Sequence, residues 1–250
     1  MKNEVTMHPN MTPDLADVLL REAVADKSAA AAALLAEIAR EFPDAALANS
    51  LGAEDMVLTD LIVKHAPDLE IFSLDTGRLP LETYDLMAAV HQHYGLKLKL
   101  YYPAHEGVEA FTREHGINGF YDSVTARKAC CHARKVEPLQ RALAGKSAWI
   151  TGLRAQQAAT RAELPLRAYD ADNGLEKFNP LAQWSEKEVW AYIRLHDVPY
   201  NTLHDAFYPS IGCAPCSRPV AIGEDVRAGR WWWESPDNKE CGLHVIRNRA

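Results

Sequence analysis

The cysteines are the residues of this chain best suited to chemistry, and four of its five form two close pairs. Cys130 and Cys131 are adjacent, while Cys213 and Cys216 form a C-x-x-C motif. Zinc sites usually separate their cysteines by two to four residues, whereas each iron of a cubane cluster can take its own thiolate. The two pairs therefore predict the ligands of a [4Fe-4S] cluster. A redox motif, a zinc site and buried cysteines without a metal are the alternatives.

The fifth cysteine, Cys241, lies in the polar segment Lys239–His244. A cationic neighbour such as Lys239 or His244 lowers the pKa of a thiol, and an exposed thiolate is a nucleophile. If the other four cysteines bind metal, none is left to displace a covalent adduct from Cys241, so an external dithiol must do so. The alternative is a surface cysteine without a chemical role.

Basic residues are concentrated between Tyr121 and Ala168, where nine Lys and Arg residues face three acids in a chain of net charge −7. A local excess of this kind predicts a site for an anion. Lys135 is four residues past Cys131, so a regular helix would place both on one face. Arg227 and Arg230 form a second cationic pair near the C-terminus. The nine are Arg127, Lys128, Arg134, Lys135, Arg141, Lys146, Arg154, Arg161 and Arg167, of which Arg141 and Lys146 are assigned to a solvated helix face.

Short apolar segments alternate with helical ones over the first 151 residues, which predicts an α/β fold, doubly wound, with a mainly parallel sheet. Ligands of such sheets bind beyond the carboxyl ends of the strands, where Ser50–Asp55 and Asp75–Gly77 fall. Ser50–Asp55 resembles a phosphate-binding loop, because it contains a glycine and is followed by the N-terminus of a predicted helix. The predicted strands are Ala45–Asn49, Leu69–Leu74, Leu96–Tyr102 and Ala148–Thr151, and the predicted helices are Ser28–Glu41, 53–64, 80–94 and Ser185–His196.

Composition narrows the class of protein. A chain of 250 residues that is 48% hydrophobic can bury a large single core. Its negative charge argues against binding to nucleic acid or to an anionic membrane surface. No apolar run approaches the roughly 20 residues that cross a bilayer, and the N-terminus lacks the apolar core of a secretory signal. We therefore expect a cytoplasmic location with reduced thiols.

Several motifs, in order over about 200 residues, are together specific where each alone is weak. They are Ser50–Asp55 (SLGAED), Leu74–Arg78 (LDTGR), Arg127–Lys135 (RKACCHARK), Thr151–Arg154 (TGLR), Gly212–Cys216 (GCAPC), Gly229–Glu234 (GRWWWE) and Glu240–His244 (ECGLH). In this combination the chain resembles the assimilatory adenylyl-sulfate (APS) reductases, within the wider phosphoadenylyl-sulfate (PAPS) reductase family.

The resemblance implies an adenine nucleotide α-hydrolase-like fold and assigns most of the site. Cys241, as the nucleophile, and Lys135, facing the phosphosulfate, are the expected catalytic residues. The expected cluster ligands are Cys130, Cys131, Cys213 and Cys216. The expected substrate-binding residues are Ser50, Gly52, Leu74 and Thr76 at the nucleotide, Arg154, Arg161, Arg227 and Arg230 at the phosphosulfate, and His244. The expected division is a disordered tail (1–12), a nucleotide-binding reductase domain with the [4Fe-4S] site (13–230) and a mobile C-terminal segment (231–250).

The function that the resemblance implies is reduction of APS to sulfite and AMP, through an S-sulfocysteine, with thioredoxin or glutaredoxin as the dithiol partner. The two cysteine pairs favour APS over PAPS, because relatives that use PAPS typically lack them. A PAPS reductase is the first alternative. A tRNA-thiolating ATP pyrophosphatase should carry a Ser-Gly-Gly-x-Asp-Ser loop, and a cluster-based redox sensor would need no nucleotide loop. The chain is compatible with a homo-oligomer.

Overall fold

The structure is a computed structural model that describes residues 15–157 and 164–235. Its strands are β1 (Ala46–Ala48), β2 (Glu70–Leu74), β3 (Lys99–Tyr101), β4 (Ala148–Ile150), β5 (Arg167–Asp170) and β6 (Leu175–Phe178). Its α-helices are α1 (Leu15–Glu41), α2 (Ala53–His65), α3 (Leu81–Tyr94), α4 (His105–His115), α5 (Val124–Cys131), α6 (Glu137–Leu143) and α7 (Glu186–His196). No helix of the described ranges is long and apolar enough to span a membrane.

The strands form one sheet in the order β3-β2-β1-β4-β6-β5. All neighbouring pairs are parallel except β5 and β6, which form an antiparallel hairpin at the edge. The hairpin turn is closed by Asp170, whose side chain accepts hydrogen bonds from the backbone N–H groups of Asp172 and Asn173. The prediction of a mainly parallel sheet is confirmed.

Both faces of the sheet are covered by helices, as the doubly wound prediction requires. Side chains of a strand alternate between the two faces. Leu47 of β1 and Ile71 of β2 therefore pack into a core with α1, α2, α3 and α7. Their neighbours Ala46 and Phe72 pack on the opposite face against α6. The two central strands β1 and β4 are apolar throughout because they are buried on both faces.

Two elements begin three or more residues away from their predicted start. Helix α1 begins at Leu15 instead of Ser28, because the Ser28 hydroxyl donates to the Val24 carbonyl one turn earlier and does not cap the helix. Strand β3 is shorter than predicted and covers only Lys99–Tyr101. The predicted cap of α7 is confirmed as a capping box in which Ser185 and Glu188 satisfy each other's backbone N–H groups.

Candidate active site and cysteine cluster

The loop between β1 and α2 is held closed by one buried carboxylate. Asp55 Oδ2 accepts hydrogen bonds from the Ser50 backbone N–H at 2.7 Å and from the Ser50 hydroxyl at 2.6 Å. Burial raises the pKa of Asp55 to about 6, and the hydrogen bonds from Ser50 oppose that rise. Gly52 then precedes the first residue of α2, so the loop places backbone N–H groups at a helix N-terminus.

A cavity of about 740 Å³ opens at the carboxyl ends of β1, β2 and β4. Three residues predicted to contact the nucleotide line it, namely Ser50, Gly52 and Leu74. On the far side, the loop after β4 approaches α2 so closely that a Cβ on Gly152 would collide with the Asp55 carboxylate. The cavity therefore lies at the position where ligands of parallel sheets bind.

Cations from separate parts of the chain line the same cavity: Lys135, Arg154, Arg227 and Arg230 from the sequence analysis, and Arg194 of α7, which it did not single out. Their surroundings differ. The Arg154 guanidinium lies 2.7 Å from Glu54, so its charge is balanced by a carboxylate. The side chain of half-buried Lys135 forms no hydrogen bond or ion pair with another residue of the described ranges. Among the predicted cations, Lys135 is thus well suited to meet an added anion.

Lys135 owes its position to an irregular helix. Between α5 and α6 the chain continues through a π-helical segment, His132–Val136, without a break. A π turn contains more residues than an α turn, so the four-residue spacing between Cys131 and Lys135 does not define a common helix face as it would in an α-helix. Single π turns inside α-helices occur frequently at functional sites.

The four predicted ligands lie together in one apolar cluster, although more than 80 residues separate the two pairs in sequence. All four are free thiols. Phe111, Phe120, Trp231 and Trp233 complete the group, which we call the cysteine cluster. The cysteines come from two elements, the end of α5 and a turn of 3₁₀ helix at Ala214–Cys216.

The electrostatics of the cysteine cluster favour a bound cationic group. Burial raises the pKa of Cys130, and burial together with the neighbouring Cys213 raises the pKa of Cys216 to about 12. Arg134 beside Cys130 and Arg230 beside Cys216 oppose these rises. Four neighbouring thiolates would repel one another, so all four can ionise together only around positive charge.

Four free thiols in one cluster are compatible with the ligation of a [4Fe-4S] cluster. Within the described part of the chain, no three His, Cys, Asp or Glu side chains converge on one ion-sized position. A cubane cluster does not require such convergence, since each of its four irons takes a separate thiolate. Four cysteines within one apolar cluster match that ligation in number and in type.

Thr76 lies on the cysteine side of the site. Its Oγ1 is 3.2 Å from Cys213 Sγ, and its carbonyl accepts a hydrogen bond of 2.7 Å from Arg134 Nη1. Thr76 is fully buried and is absent from the residues that line the 740 Å³ cavity. Its predicted contact with the nucleotide therefore stays a prediction, whereas its contact with a cysteine was not foreseen.

Arg230 and Trp231 form the wall between the cavity and the cysteine cluster. Both line the cavity, and Trp231 is also part of the cluster. The Arg230 guanidinium stacks on Trp231 at 4.9 Å and lies so close to Gly212 that any larger residue there would collide with it. The Trp231 backbone N–H donates to the Cys216 carbonyl at 3.3 Å. Trp231 therefore borders both sites, and Arg230 stacks on it from the side of the cavity.

Sequence reasoning missed a buried ion pair beside this wall. Arg127, counted above among the cations, donates two hydrogen bonds to Glu234, a residue given no role. The sequence did contain a signal for this pair, because Glu234 follows three tryptophans and a carboxylate buried in an apolar segment needs a partner. Glu234 is thereby anchored to α5, and the predicted domain division stays a prediction. Arg161, Cys241 and His244 lie outside the described residues.

Comparison with known proteins places this geometry in a family. The sequence matches the phosphoadenosine phosphosulfate reductase domain over residues 44–219. It is 60% identical over 218 residues to the adenosine 5'-phosphosulfate reductase of Allochromatium vinosum, covering 87% of this chain and 85% of the relative. The chain belongs to the phosphoadenosine phosphosulfate reductase family. The predicted family is confirmed, and so is the α/β fold.

Other members and solved structures agree. The adenosine 5'-phosphosulfate reductase of Burkholderia cepacia is 52% identical over 213 residues, 85% of each chain. The phosphoadenylyl-sulfate reductase of Candida auris superposes with a TM-score of 0.66 at 30% identity, covering 84% of this chain and 98% of that one. Yeast FAD synthetase shares the fold at 14% identity, with a TM-score of 0.55, 84% of this chain and 70% of that one. This family member therefore has a fold that adenine-nucleotide enzymes also use.

Proposed function

We propose that this protein reduces adenosine 5'-phosphosulfate to sulfite and AMP. The observation that carries the proposal is the shared wall of Arg230 and Trp231, which joins a cation-lined cavity at the strand ends to a cluster of four cysteines. The relatives at 60% and 52% identity bear the name of this activity. The alternative is the 3'-phosphorylated substrate, which the name of the Candida auris structure indicates for that protein.

The cavity residues suit binding of the nucleotide and its two anions. The loop at Ser50 and Gly52 presents backbone N–H groups at the N-terminus of α2, which favours negative charge. Lys135, Arg227 and Arg230 supply cations on the same cavity surface. A sulfate joined to a phosphate carries negative charge on both groups, so an attacking thiolate is repelled unless such cations neutralise it.

Cys241 is the proposed nucleophile. Its thiolate attacks the sulfur of the sulfate group, an S–S bond forms, and the bond between that sulfur and the bridging oxygen breaks. AMP leaves with the electron pair of that oxygen, and the sulfonate stays on Cys241 as S-sulfocysteine. Cations at the cavity stabilise the charge that develops on the leaving phosphate.

A dithiol protein such as thioredoxin or glutaredoxin completes the proposed cycle. One of its thiolates attacks Sγ of Cys241, and sulfite departs with the electron pair of the S–S bond. The second thiol then displaces Cys241 from the mixed disulfide, which regenerates its thiolate and leaves the dithiol oxidised. The two electrons that reduce the sulfate sulfur therefore come from the dithiol, in a compartment where thiols stay reduced, the cytoplasm.

Cys130, Cys131, Cys213 and Cys216 would hold a [4Fe-4S] cluster. When bound, it would supply a fixed charge distribution next to the wall formed by Arg230 and Trp231. Thr76 contacts Cys213 and Arg134 contacts Cys130. Both residues would therefore orient cysteines that bind the cluster. Since one cysteine and one external dithiol account for all electrons, the cycle does not require electron transfer through the cysteine cluster.

The test is product analysis with purified protein. Incubation with adenosine 5'-phosphosulfate and reduced thioredoxin should release AMP and sulfite in equal amounts, and kcat/KM should exceed that for the 3'-phosphorylated substrate. A reversed preference would establish the alternative. AMP with pyrophosphate from ATP, and no sulfite, would refute both. Chromatography at several protein concentrations would determine whether the proposed enzyme is a homo-oligomer.

A further inference from the structure

A buried ion pair joins the helix of Cys130 and Cys131 to the last described part of the chain. Arg127 Nε and Nη2 donate to the two carboxylate oxygens of Glu234 at 2.9 Å and 2.8 Å. The Arg127 side chain is 0% exposed and the Glu234 side chain 3% exposed. The two residues are separated by 107 positions, so the pair is a long-range link and not a local helix contact.

Arg127 has two further partners, both in the cysteine cluster. Its guanidinium lies over the Trp231 ring at 4.5 Å from the ring centre. Its side chain also hydrogen-bonds that of Cys131. One rigid, planar group thus contacts a cysteine, the wall residue Trp231 and the carboxylate of Glu234 at the same time.

The chain around Glu234 is fixed at several points. The Arg218 backbone N–H donates to the Gly229 carbonyl, and Ser217 and Arg230 form a β-bridge. Trp231 is 2% exposed. Glu234 is attached to α5 through Arg127, and Cys241 follows it by seven residues in the sequence.

Stability alone is a weak reason for such a pair. Desolvating two charges is costly, and apolar residues of similar volume often replace a buried ion pair without loss of stability. A planar guanidinium that binds a carboxylate with two bonds does, however, fix direction and register. The geometry is therefore that of a group that orients its neighbours.

We propose that Arg127 and Glu234 are positioning residues that couple the cysteine cluster to the origin of the segment containing Cys241. Arg127 holds Cys131 in the orientation that an iron ligand requires, and Glu234 anchors the described residues that precede Cys241 in the sequence. This inference rests on the proposed function, since it takes Cys131 as a cluster ligand and Cys241 as the nucleophile.

The decisive variant is the double substitution Arg127→Met with Glu234→Leu, because it leaves no buried charge unpaired and should keep the fold. We expect its thermal midpoint to stay near that of the wild type. Release of iron to a chelator should become about tenfold faster or more, the usual effect of removing an outer-shell partner. The kcat for adenosine 5'-phosphosulfate should fall by a similar factor with KM nearly unchanged, because Ser50 and Lys135 are untouched.

Glu234→Gln is the conservative companion, and Glu176→Gln is its matched control. Glu176 pairs with Arg167 at 3.0 Å on the edge hairpin, away from both sites. Glu234→Gln should shift iron release and kcat in the same direction as the double variant, while Glu176→Gln should shift neither.

The outcomes separate the two proposals. A double variant that releases iron and turns over at wild-type rates overturns the positioning role, whatever its stability. A KM that rises as much as kcat falls would also overturn it, because that result indicates a general distortion of the cavity. A wild-type protein that holds iron but forms no sulfite refutes the proposed function, while faster iron release from the variants would still establish the link from Arg127 to the cluster.

Discussion

Asp55 accepts two hydrogen bonds from Ser50, at 2.7 Å from the backbone N–H and 2.6 Å from the hydroxyl, and this pair fixes the loop that begins the nucleotide cavity. Asp55 is almost fully buried, and burial raises its pKa from 3.8 to about 6. The ionised Asp55 carboxylate thus holds the loop through these hydrogen bonds. Its burial costs desolvation free energy, which is why its pKa is raised.

The first prediction is a pH dependence of stability that belongs to Asp55. Because its folded pKa lies above its unfolded value, only the folded protein holds this proton between about pH 4 and pH 6. Stability contributed by this group is present below that window and is lost as the pH rises through it. Relative to Asp55→Asn, the wild type should lose ~3 kcal/mol of unfolding free energy across the window.

Urea unfolding of wild type and Asp55→Asn at several pH values between about 4 and 8 measures this difference. Groups common to both proteins cancel in the comparison. Two curves of unfolding free energy that stay parallel across the whole range would contradict a raised pKa at Asp55. Ser50→Ala is a useful companion, since it removes the hydroxyl donor and should raise the pKa of Asp55 further.

The second prediction concerns Lys135, a cavity-lining cation that forms no ion pair in the described ranges. Lys135→Ala should keep the fold and lose about 10²-fold or more in kcat/KM, the typical effect of removing one electrostatic stabiliser. Steady-state assays with adenosine 5'-phosphosulfate measure the loss. Circular dichroism checks the fold.

Lys97→Ala is the control for Lys135, since Lys97 is exposed and lies between α3 and β3, outside the cavity. It should keep wild-type kinetics at any ionic strength. If Lys135→Ala also keeps wild-type kinetics, Lys135 is a solvated residue of the helix and not part of the anion site.

The sheet was predictable because its signals are local. Apolar segments such as Leu69–Leu74, followed by polar turns and helical spacing, define parallel strands with little dependence on the rest of the chain. Four cysteines in two pairs likewise predicted a common site, and the structure brings them together. Both results depend on residue type and spacing, which a sequence displays directly.

The sequence did not display the irregularity of one helix or the long-range ion pairs. Nothing in the spacing of Cys131 and Lys135 shows that the helix between them contains a π-helical segment. Arg154 pairs with Glu54, which is 100 positions away in the sequence. Arg127 pairs with Glu234, which is 107 positions away. Counting cations along the chain therefore overestimated how many are available to an anion, because partners contributed by tertiary packing are invisible to a local count.

The third prediction concerns metal. Protein purified without oxygen should contain about four irons and about four inorganic sulfides per chain. Cys131→Ser should lose most of this iron, because an alcohol is a poor substitute for a thiolate ligand. Metal analysis and the visible absorption spectrum report both results.

Removal of the metal should also weaken the domain around the cysteine cluster. The two cysteine pairs belong to separate segments, so a group that binds both stabilises their packing against Trp231. A chelator should therefore lower the thermal midpoint of the wild type. One zinc per chain without sulfide would refute the [4Fe-4S] assignment and establish the zinc alternative.

The fourth prediction concerns Cys241 and follows from counting thiols. Four of the five cysteines lie in the cysteine cluster, so none is left in the chain to displace a sulfonate from Cys241. Incubated with adenosine 5'-phosphosulfate and no reductant, the protein should release about one AMP per active site and then stop. Reduced thioredoxin should then release sulfite and restore turnover.

Cys241→Ser separates binding from chemistry in this experiment. The described residues of the anion site, Lys135 and Arg230 among them, are unchanged in that variant, so it should still bind the nucleotide. It should give no burst of AMP and no adduct, since the hydroxyl of a serine is scarcely ionised and is a weak nucleophile at neutral pH. Mass spectrometry of the stalled wild type decides the assignment, because a modification with the mass of one SO₃ must map to the peptide that contains Cys241. A modification on another peptide, or sulfite released without any dithiol, would show that a different group attacks the substrate.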